Sequence, residues 1–486
     1  MSTRDASAVR TAIRAALPRD TSTHGAAPEP RHMYVPPAHT KALHLDSALI
    51  VGGRGVGKTF WSSSLVSDEL RSLLGAVVNE LQVADVFAGY GERPDLDAYP
   101  DQETFASLLS DGVDAFFVWR AVIARRLAEP TTVAVPARSW RESVAWIRAE
   151  PEAYARLLQD ADERLRDSGT RALFVFDALD RAGRDWRAMD VIVRDLLRVA
   201  LSLKAFSRLH TKVFLRDDQF ERRTVTDFPD ASKLLATRVN LSWEPHDLHG
   251  LLWQYLCNAP DEHGERLRDL YTDEVGHPPD ASYENVWVPT AEAKRDVEVQ
   301  RRLFSAIAGP WMGRDRRRGL TYSWSVSHLA DGRGRASPRS FLAAIRAAAE
   351  DSTSRYAEHP YALHYESIKR GVHEASEIRV RELEEDYPWV PRLMEPLRGM
   401  TVPCTEEEIE QRWRAEFGTT FRGDVRDRLP PDNPDDTWHG LRVSLERLGI
   451  MEVMRDGRIN MPDLYRVGFG LGRRGGVRPV VPAPSG

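Results

Sequence analysis

One short stretch of the chain combines the residue types that bind a phosphate group. The stretch LIVGGRGVGKTFW matches the pattern G-x-x-x-x-G-K-[ST], from Gly52 to Thr59. Glycines let the backbone curl so that successive N–H groups point at an anion, and the following helix adds its positive end. Lys58 can reach the β- and γ-phosphates of a nucleotide, and the Thr59 hydroxyl can bind Mg²⁺. The predicted nucleotide-binding residues are Gly52, Gly53, Arg54, Gly55, Val56, Gly57, Lys58, Thr59 and Phe60.

A second motif supplies the carboxylates that such a site needs. In FVFDALDR, Asp177 ends an apolar run and Asp180 follows three residues later. Asp177 is predicted to be the acid associated with Mg²⁺, which Thr59 also binds. Asp180 is the candidate for orienting or deprotonating the attacking water. The alternative for Asp180 is that it only caps a helix.

The two motifs together resemble those of the signal-transduction ATPases with numerous domains (STAND), which include the NACHT and NB-ARC proteins. This group is related to the AAA+ and origin-recognition ATPases. The form hhhhD-x-h-D, with a small residue after the first Asp, carries the resemblance. AAA+ enzymes place a Glu at that point, where this chain has Ala178. The chain contains no NKxD motif that would read guanine and no LSGGQ motif of ABC transporters, so ATP is the preferred nucleotide.

Two arginines fit the same resemblance. Arg216 ends the predicted strand KVFLR, where this class commonly places a polar sensor of the γ-phosphate. Pro338 and Arg339 open a helix far downstream, which resembles the lid-helix arginine of AAA+ ATPases or the glycine–proline module of STAND proteins. A guanidinium brought in by a second domain can register whether the γ-phosphate is present. The alternative for both is an ordinary surface or ion-paired arginine, in a chain with 60 arginines and 7 lysines.

These side chains need a sheet that brings them to one edge. Strands are predicted at 47–51, 75–81, 171–177, 212–216 and 237–243, with helical stretches between them. Alternation of this kind indicates βαβ units and a parallel sheet. The expected fold class is therefore α/β, a P-loop NTPase with a parallel β-sheet flanked by helices, followed by a helical lid and a small winged-helix-like domain.

The predicted domains follow changes in composition along the chain. Pro-, Asp- and Gly-rich loops at 259–290 suggest an insertion. The expected boundaries are 1–40 for a flexible N-terminal extension, 41–258 for the P-loop ATPase domain, 259–350 for the insertion and helical lid, 351–401 for a helical linker, 402–469 for the winged-helix-like domain and 470–486 for a flexible tail.

The C-terminal segment is predicted to form two helices and two short strands, an order that resembles a winged helix. The first helix spans 405–417, and the second begins after Asn433 as its N-cap. Two strands follow around Asp456 and Gly457. The second helix carries Asp435, Asp436 and Glu446 against Arg442 and Arg447, a poor balance for a surface that faces phosphates. Packing against protein is therefore favoured over DNA binding.

Composition limits the remaining classes. The 486 residues carry a net charge of −6, which does not favour bulk attraction to nucleic acid. The basic clusters at 314–319 and 473–478 are interpreted as solvated loops. The only cysteines, Cys257 and Cys404, exclude a disulfide framework and a Cys-rich zinc site. With no apolar run long enough for a bilayer and no export signal at the N-terminus, a cytoplasmic protein without a membrane partner is expected.

Taken together, the leading hypothesis is an ATP-binding switch of STAND or AAA+ type that hydrolyses ATP slowly with Mg²⁺. The expected partners are ATP and ADP, with a protein partner or further copies of the chain. The STAND resemblance implies a role in bacterial conflict or antiphage signalling. The alternatives are a DNA-binding ATPase related to origin-recognition loaders and a scaffold that binds nucleotide without turnover.

Overall fold

The computed structural model describes residues 3–19, 25–128, 133–183, 185–282, 285–419, 421 and 437–473, apart from the side chains of residues 3–5 and of Arg223. The chain divides into two compact units. The sheet unit comprises Ser22–Glu29 and Val35–Ser242, and the helical unit comprises Met1–Thr21, Pro30–Tyr34 and Trp243–Gly486. The unit that holds the phosphate loop therefore ends at Ser242 rather than at the expected boundary of 258.

Helix α1 (Thr3–Ala16) corrects the expected flexible extension at 1–40. The guanidinium of Arg10 is buried and donates to the carbonyl oxygens of Ala362 at 2.8 Å and Tyr356 at 3.2 Å. Such bonds anchor α1 within the helical unit, since a buried arginine needs acceptors for its donors. The apolar face of α1 is at most 2% exposed at Ala6, Val9, Ala12 and Ile13.

The sheet unit contains the expected alternation of strands and helices. Its strands are β1 (Leu49–Gly52), β2 (Ala84–Tyr90), β3 (Arg171–Phe176), β4 (Leu209–Arg216) and β5 (Val239–Asn240). Its helices are α2 (Pro37–Leu43), α3 (Lys58–Val66), α4 (Asp68–Leu74), α5 (Gln102–Ser110), α6 (Ala115–Ala128), α7 (Trp140–Ala149), α8 (Pro151–Asp167), α9 (Trp186–Leu203), α10 (Asp217–Phe220), α11 (Arg223–Thr226) and α12 (Ala231–Leu235).

The five strands form one parallel sheet in the order β2-β3-β4-β1-β5. Strand β4 therefore lies between β1, which leads into the phosphate loop, and β3, which ends at the first aspartate. Gly52 is paired with Arg216, and Phe176 with Val213. Because parallel strands end at the same edge, this register places the three functional segments side by side. The α/β fold class is confirmed.

The second strand of the sheet is not the one predicted. Residues 75–81, expected to be a strand, continue from α4 into a turn and a 3-10 helix at Asn79–Val83. Strand β2 begins just after it, at Ala84, and forms an edge of the sheet. Gly89 in β2 lies against the ring of Phe176, where an added Cβ would meet ring carbons at 2.3–2.8 Å. The close approach of β2 to β3 therefore requires glycine at this position.

The helical unit contains eleven further helices and three pairs of two-residue strands among its described residues. The helices are α13 (Pro245–Cys257), α14 (Asp261–Val275), α15 (Ala291–Arg295), α16 (Val297–Ala308), α17 (Thr321–Ser327), α18 (Pro338–Arg355), α19 (Tyr365–Asp386), α20 (Trp389–Met394), α21 (Glu406–Phe417), α22 (Trp438–Arg447) and α23 (Asp463–Arg466). The strands are β6 (Asp280–Ala281), β7 (Trp287–Val288), β8 (Thr401–Val402), β9 (Glu452–Val453), β10 (Ile459–Asn460) and β11 (Gly472–Arg473).

Much of the expected loop region at 259–290 is helix α14. Its Leu267 and Tyr271, four residues apart, are fully buried, so the helix presents one apolar stripe to its unit. In the described part of the chain, no helix has both the length and the apolar character needed to cross a membrane.

The C-terminal segment has the element order predicted for it. Helices α21 and α22 are followed by an antiparallel β9–β10 hairpin that turns at Gly457. Asn433, the expected N-cap, lies outside the described residues. Helix α22 begins at Trp438 instead, and the Thr437 hydroxyl accepts a hydrogen bond from the Gly440 N–H at 3.0 Å. Residues 472–473, expected within a flexible tail, form β11 beside β8.

Candidate functional site

The phosphate loop joins β1 to α3 through residues 53–57. Gly55 and Gly57 have positive φ angles of 77° and 102°, a backbone region that favours glycine. Gly52 lies against Leu241, and an added Cβ would meet the Val56 side chain at 2.9 Å. The glycines of the motif are thus required by turn geometry and by close packing. Residues 53–60, including Arg54 and Phe60, are half-buried, so the loop is open to a ligand on one side.

The ammonium group of Lys58 lies over its own loop. Nζ donates to the carbonyl oxygens of Gly52 at 2.9 Å and Gly53 at 2.8 Å. Burial, and then the positive charge of Arg216, lower the pKa of Lys58 to about 8, while nearby aspartates act in the opposite direction. Two carbonyl dipoles are weaker partners than a phosphate, so Lys58 is positioned to exchange them for an anion.

Asp177 follows β3 directly and is 4% exposed. Its Oδ2 accepts a hydrogen bond from the Ser62 hydroxyl at 2.8 Å, and its backbone N–H donates to Tyr90. Burial raises the pKa of the Asp177 carboxyl, while hydrogen bonds from Ser62, the Ala178 backbone and Thr59, together with Lys58, lower it. The side chains of Asp177 and Thr59, the two predicted Mg²⁺-binding residues, therefore lie close together.

The chain turns sharply after Asp177. Ala178 has φ +53° and ψ 35°, the left-handed conformation that a residue with a Cβ adopts at a cost of about 1 kcal/mol. A 3-10 turn follows at Leu179–Arg181, with Ala178 at its N-cap and no capping side chain. Asp180 lies inside this turn, so it is not the N-cap residue that the alternative interpretation required.

Arg216 lies between two carboxylates at the end of β4. It forms a two-point pair with Asp218, with Nε 3.0 Å from Oδ1 and Nη2 2.6 Å from Oδ2. Its Nη1 lies 4.0 Å from Oδ2 of Asp180, whose side chain is 39% exposed. The fork of Asp218 fixes the guanidinium plane, and the third nitrogen faces the candidate catalytic acid.

The sheet unit thus brings Lys58, Asp177, Asp180 and Arg216 to one edge. Arg339 belongs to the helical unit, where its Nη1 lies 2.6 Å from Oε1 of Glu382. The ion-paired interpretation of Arg339 accounts for that contact, and its role as a γ-phosphate sensor stays a prediction.

Sequence reasoning missed two residues of this edge. Ser62 lies one turn into α3 and reaches Asp177 only because α3 packs beside β3. Asp218 is adjacent to Arg216 in the sequence, and the DD pair after the KVFLR strand was an available signal. Within the described residues, no group of three or more His, Cys, Asp or Glu side chains is arranged for a metal ion.

Comparisons with known proteins give a distant likeness in fold. No family model matches the chain, and no curated protein matches it. Among solved structures, it is similar to the Aeropyrum pernix ORC2 protein in ADPNP–ADP complexes, with 12% identity over 89% of this chain and 92% of that one and a TM-score of 0.38. It is also similar to Cdc6p from Pyrobaculum aerophilum, with 13% identity over 86% and 83% of the two chains and a TM-score of 0.28.

Proposed function

We propose that the protein is an ATP-binding switch that hydrolyses ATP slowly with Mg²⁺. The observation that carries the proposal is the edge of the sheet, where β1, β4 and β3 end side by side. They present Lys58, Arg216 and Asp177 in that spatial order. A cation on the phosphate loop, a second cation and a buried acid are the parts that phosphoryl transfer needs for positioning and charge stabilisation.

In this proposal, the phosphate loop binds and orients the nucleotide. The backbone N–H groups of residues 53–57 and the N-terminus of α3 face the phosphates, and Lys58 leaves the carbonyls of Gly52 and Gly53 to contact the β- and γ-phosphate oxygens. ATP offers Lys58 both a β- and a γ-phosphate, whereas ADP offers it only the β-phosphate, which favours ATP over ADP.

The oxygens of Thr59 and Asp177 fit a magnesium ion that arrives with the nucleotide. Mg²⁺ prefers oxygen ligands and is usually held by one or two carboxylates together with phosphates and water. The Thr59 hydroxyl and the buried Asp177 carboxylate lie close together and can supply two such oxygen ligands. When bound, the ion would neutralise charge on the phosphates.

Asp180 and Arg216 are assigned to the hydrolytic step. Asp180 is the more exposed of the two acids and can accept a hydrogen bond from a water molecule, orienting it toward the γ-phosphate. Arg216, held by Asp218, brings a positive charge to the same edge and can stabilise negative charge there. Slow turnover is expected, because Nη1 of Arg216, 4.0 Å from Oδ2 of Asp180, competes with a water molecule for that carboxylate oxygen.

The wider role is proposed from the resemblance alone. A STAND-type switch would change its contacts with a protein partner, or with other copies of the chain, when ATP replaces ADP. Bacterial conflict or antiphage signalling is the process that this resemblance implies. A scaffold that binds nucleotide without turnover is the competing function for the same site.

Calorimetry and phosphate release test the proposal on the full chain. Titrations with ATP, ADP and GTP, each with and without Mg²⁺, are expected to show Mg²⁺-dependent preference for ATP. Phosphate release under single-turnover conditions separates a hydrolysing switch from a scaffold. Size measurements with ATP-Mg²⁺ and with ADP report the switch itself. Failure to bind any nucleotide would overturn the proposal, whereas tight binding without release would support the scaffold.

A further inference from the structure

A short hairpin in the helical unit carries a dense group of arginines. It spans residues 310–320, between α16 and α17, and is called the arginine hairpin below. Trp311 and Leu320 pair as an antiparallel bridge, and the Met312 N–H donates to the Gly319 carbonyl at 2.9 Å. The segment 316–318 forms a 3-10 turn that begins after Asp315. The hairpin therefore has regular hydrogen bonds at its base, and residues 314–319 at its tip are exposed to solvent.

The charge of the arginine hairpin is left unneutralised. Its exposed arginines are Arg314, Arg316, Arg317 and Arg318. Asp315 is the only acid, and its carboxylate accepts from the backbone N–H of Arg317 at 2.9 Å as the cap of the turn. No carboxylate among the described residues forms an ion pair with any of the four guanidinium groups. Four arginines against one aspartate leave a net charge of +3 in a chain whose overall charge is −6.

Four other arginines of the same unit, whose side chains are 41–77% exposed, differ in this respect. Arg301 pairs with Glu298 at 3.1 Å, and Arg414 pairs with Glu410 at 2.9 Å. The same holds for Arg398 with Glu395 at 3.0 Å and Arg381 with Glu377 at 3.9 Å. Acids placed one helical turn away compensate these positions, whereas the arginine hairpin has none.

We propose that the arginine hairpin binds the phosphodiester backbone of a nucleic acid. Guanidinium groups match phosphate oxygens in planar two-point contacts and are always charged. Three consecutive residues of a 3-10 turn point about 120° apart, so Arg316, Arg317 and Arg318 fan out from one turn. A fan of donors on an exposed turn can contact phosphates on two sides of a groove. A flat anionic membrane would engage only part of it.

The C-terminal hairpin is less suited to the same role. Between β9 and β10 it carries Glu452, Arg455, Asp456 and Arg458, two residues of each sign. Arg458 is already paired with Asp456, with Nη2 2.8 Å from Oδ2. In α22, Arg442 is buried against Glu406 and Glu446. Of the two hairpins, the arginine hairpin therefore offers phosphates more positive charge, and it lies outside the segment predicted to be winged-helix-like.

The test compares the parent chain with a variant that carries R314Q, R316Q, R317Q and R318Q. The control carries R301Q, R381Q, R398Q and R414Q, which changes the net charge equally at exposed but ion-paired positions. Fluorescence anisotropy is measured with labelled duplex DNA, single-stranded DNA and duplex RNA over a series of salt concentrations. Vesicles containing phosphatidylserine form a separate arm. Thermal melting shows whether the variants fold. If the quadruple variant does not fold, the single variant Arg317→Gln is used instead, and it should show a smaller loss of nucleic-acid affinity.

The parent is expected to bind at least one nucleic acid. The hairpin variant should bind it about tenfold or more weakly at 0.1 M salt, because it loses phosphate contacts. Each phosphate contact contributes about 0.9 to the slope of log K against log salt. That slope should fall by about 2–4 in the hairpin variant and by much less in the control. The three labelled ligands show whether DNA or RNA is preferred. The proposal is overturned if the parent binds none of them, if both variants lose binding equally, or if only the vesicles depend on these arginines.

Discussion

The hydroxyl of Ser62 donates a 2.8 Å hydrogen bond to the Asp177 carboxylate, and both side chains are nearly buried. Burial raises the pKa of Asp177, and Ser62 is the strongest of the groups that lower it. The acid at the end of β3 is therefore held ready by a residue on the helix that follows the phosphate loop. One helix thus positions both the anion-binding loop and its acid.

Ser62→Ala should destabilise this contact, because a buried carboxylate loses one donor. The expected loss is about 1–3 kcal/mol of opening free energy in residues 58–66, measured by hydrogen exchange without nucleotide. Ser63→Ala is the matched control, since Ser63 is half-buried and its hydroxyl makes a long, weak hydrogen bond of 3.5 Å to the Gly25 carbonyl. Equal effects of the two changes would show that the hydrogen bond to Asp177 contributes nothing specific.

Lys58→Ala should abolish most of the ATP affinity. It removes the cation that faces the β- and γ-phosphates, an enclosed charge-assisted contact worth about 2–4 kcal/mol. Calorimetry with ATP-Mg²⁺ measures the loss. The control is Lys41→Ala in α2, where the side chain is exposed. Unchanged ATP affinity in the Lys58 variant would remove the phosphate-loop interpretation altogether.

The two aspartates should separate in their effects. Asp180→Asn should keep ATP bound while slowing phosphate release, because an amide cannot accept a proton from water. Asp177→Asn should weaken the Mg²⁺ dependence of binding, because the carboxylate next to Thr59 is lost. Phosphate release and Mg²⁺ titrations are measured on both variants. If the Asp180 variant turns over at the parental rate, Asp180 has no catalytic role.

The parts of the site that could be predicted are those that lie within short, continuous stretches of the sequence. The phosphate loop needs particular residues at fixed spacing, so Gly52 to Thr59 could be assigned from the sequence. Asp177 was equally accessible, because β3 is a nearly continuous apolar run buried inside the sheet. The Ser62–Asp177 contact joins residues far apart in the chain, and only the packing of α3 beside β3 brings them together.

The wrong assignments have a common physical cause. Strand β2 is an edge strand of mixed burial in which Asp85 and Gly89 interrupt the apolar residues, so it lacks the continuous apolar run that identified β3. The short apolar run at 76–78 indicated a strand just before it instead. Helices α1 and α14 bury a narrow stripe among many charged residues. Their composition suggested loops, although the spacing of Val9 and Ile13, and of Leu267 and Tyr271, is helical.

Acid should weaken the sheet unit through His39. The Trp61 indole N–H donates to its Nδ1 at 3.0 Å, and Nε2 lies 2.9 Å from the Ser242 carbonyl, so the ring is neutral with its proton on Nε2. Burial lowers the pKa of His39 from 6.5 to about 4. The unfolded chain then takes up a proton first, and stability is lost as the pH falls from 6.5 to 4.

Between pH 6.5 and 4, protonation of His39 in the unfolded chain should lower the free energy of unfolding by about 3 kcal/mol. The hydrogen-exchange protection factors of residues 35–66, which are corrected for the slower intrinsic exchange in acid, should therefore fall across this range in the parent. In His39→Gln the same region should be less stable at pH 7 and less sensitive to acid. His277→Gln, at a side chain that is 47% exposed, is the control. Identical pH profiles for parent and His39→Gln would contradict this assignment.

The last prediction concerns Arg339, whose two interpretations can be separated because its ion-pair partner, Glu382, can be changed independently. Glu382 in α19 binds Arg339 at 2.6 Å and also Arg379 at 3.2 Å. If Arg339 only supports the helical unit, Arg339→Ala and Glu382→Gln should each cost about 1 kcal/mol of stability and leave the ratio of ATP to ADP affinity unchanged.

If Arg339 contacts the γ-phosphate, Arg339→Ala alone should reduce ATP affinity more than ADP affinity, because ADP offers it nothing to contact. Glu382→Gln should then preserve or increase the preference for ATP, since it frees the guanidinium. Calorimetry with both nucleotides and thermal melting of both variants decide between the two, and matching losses for ATP and ADP would leave Arg339 a structural residue.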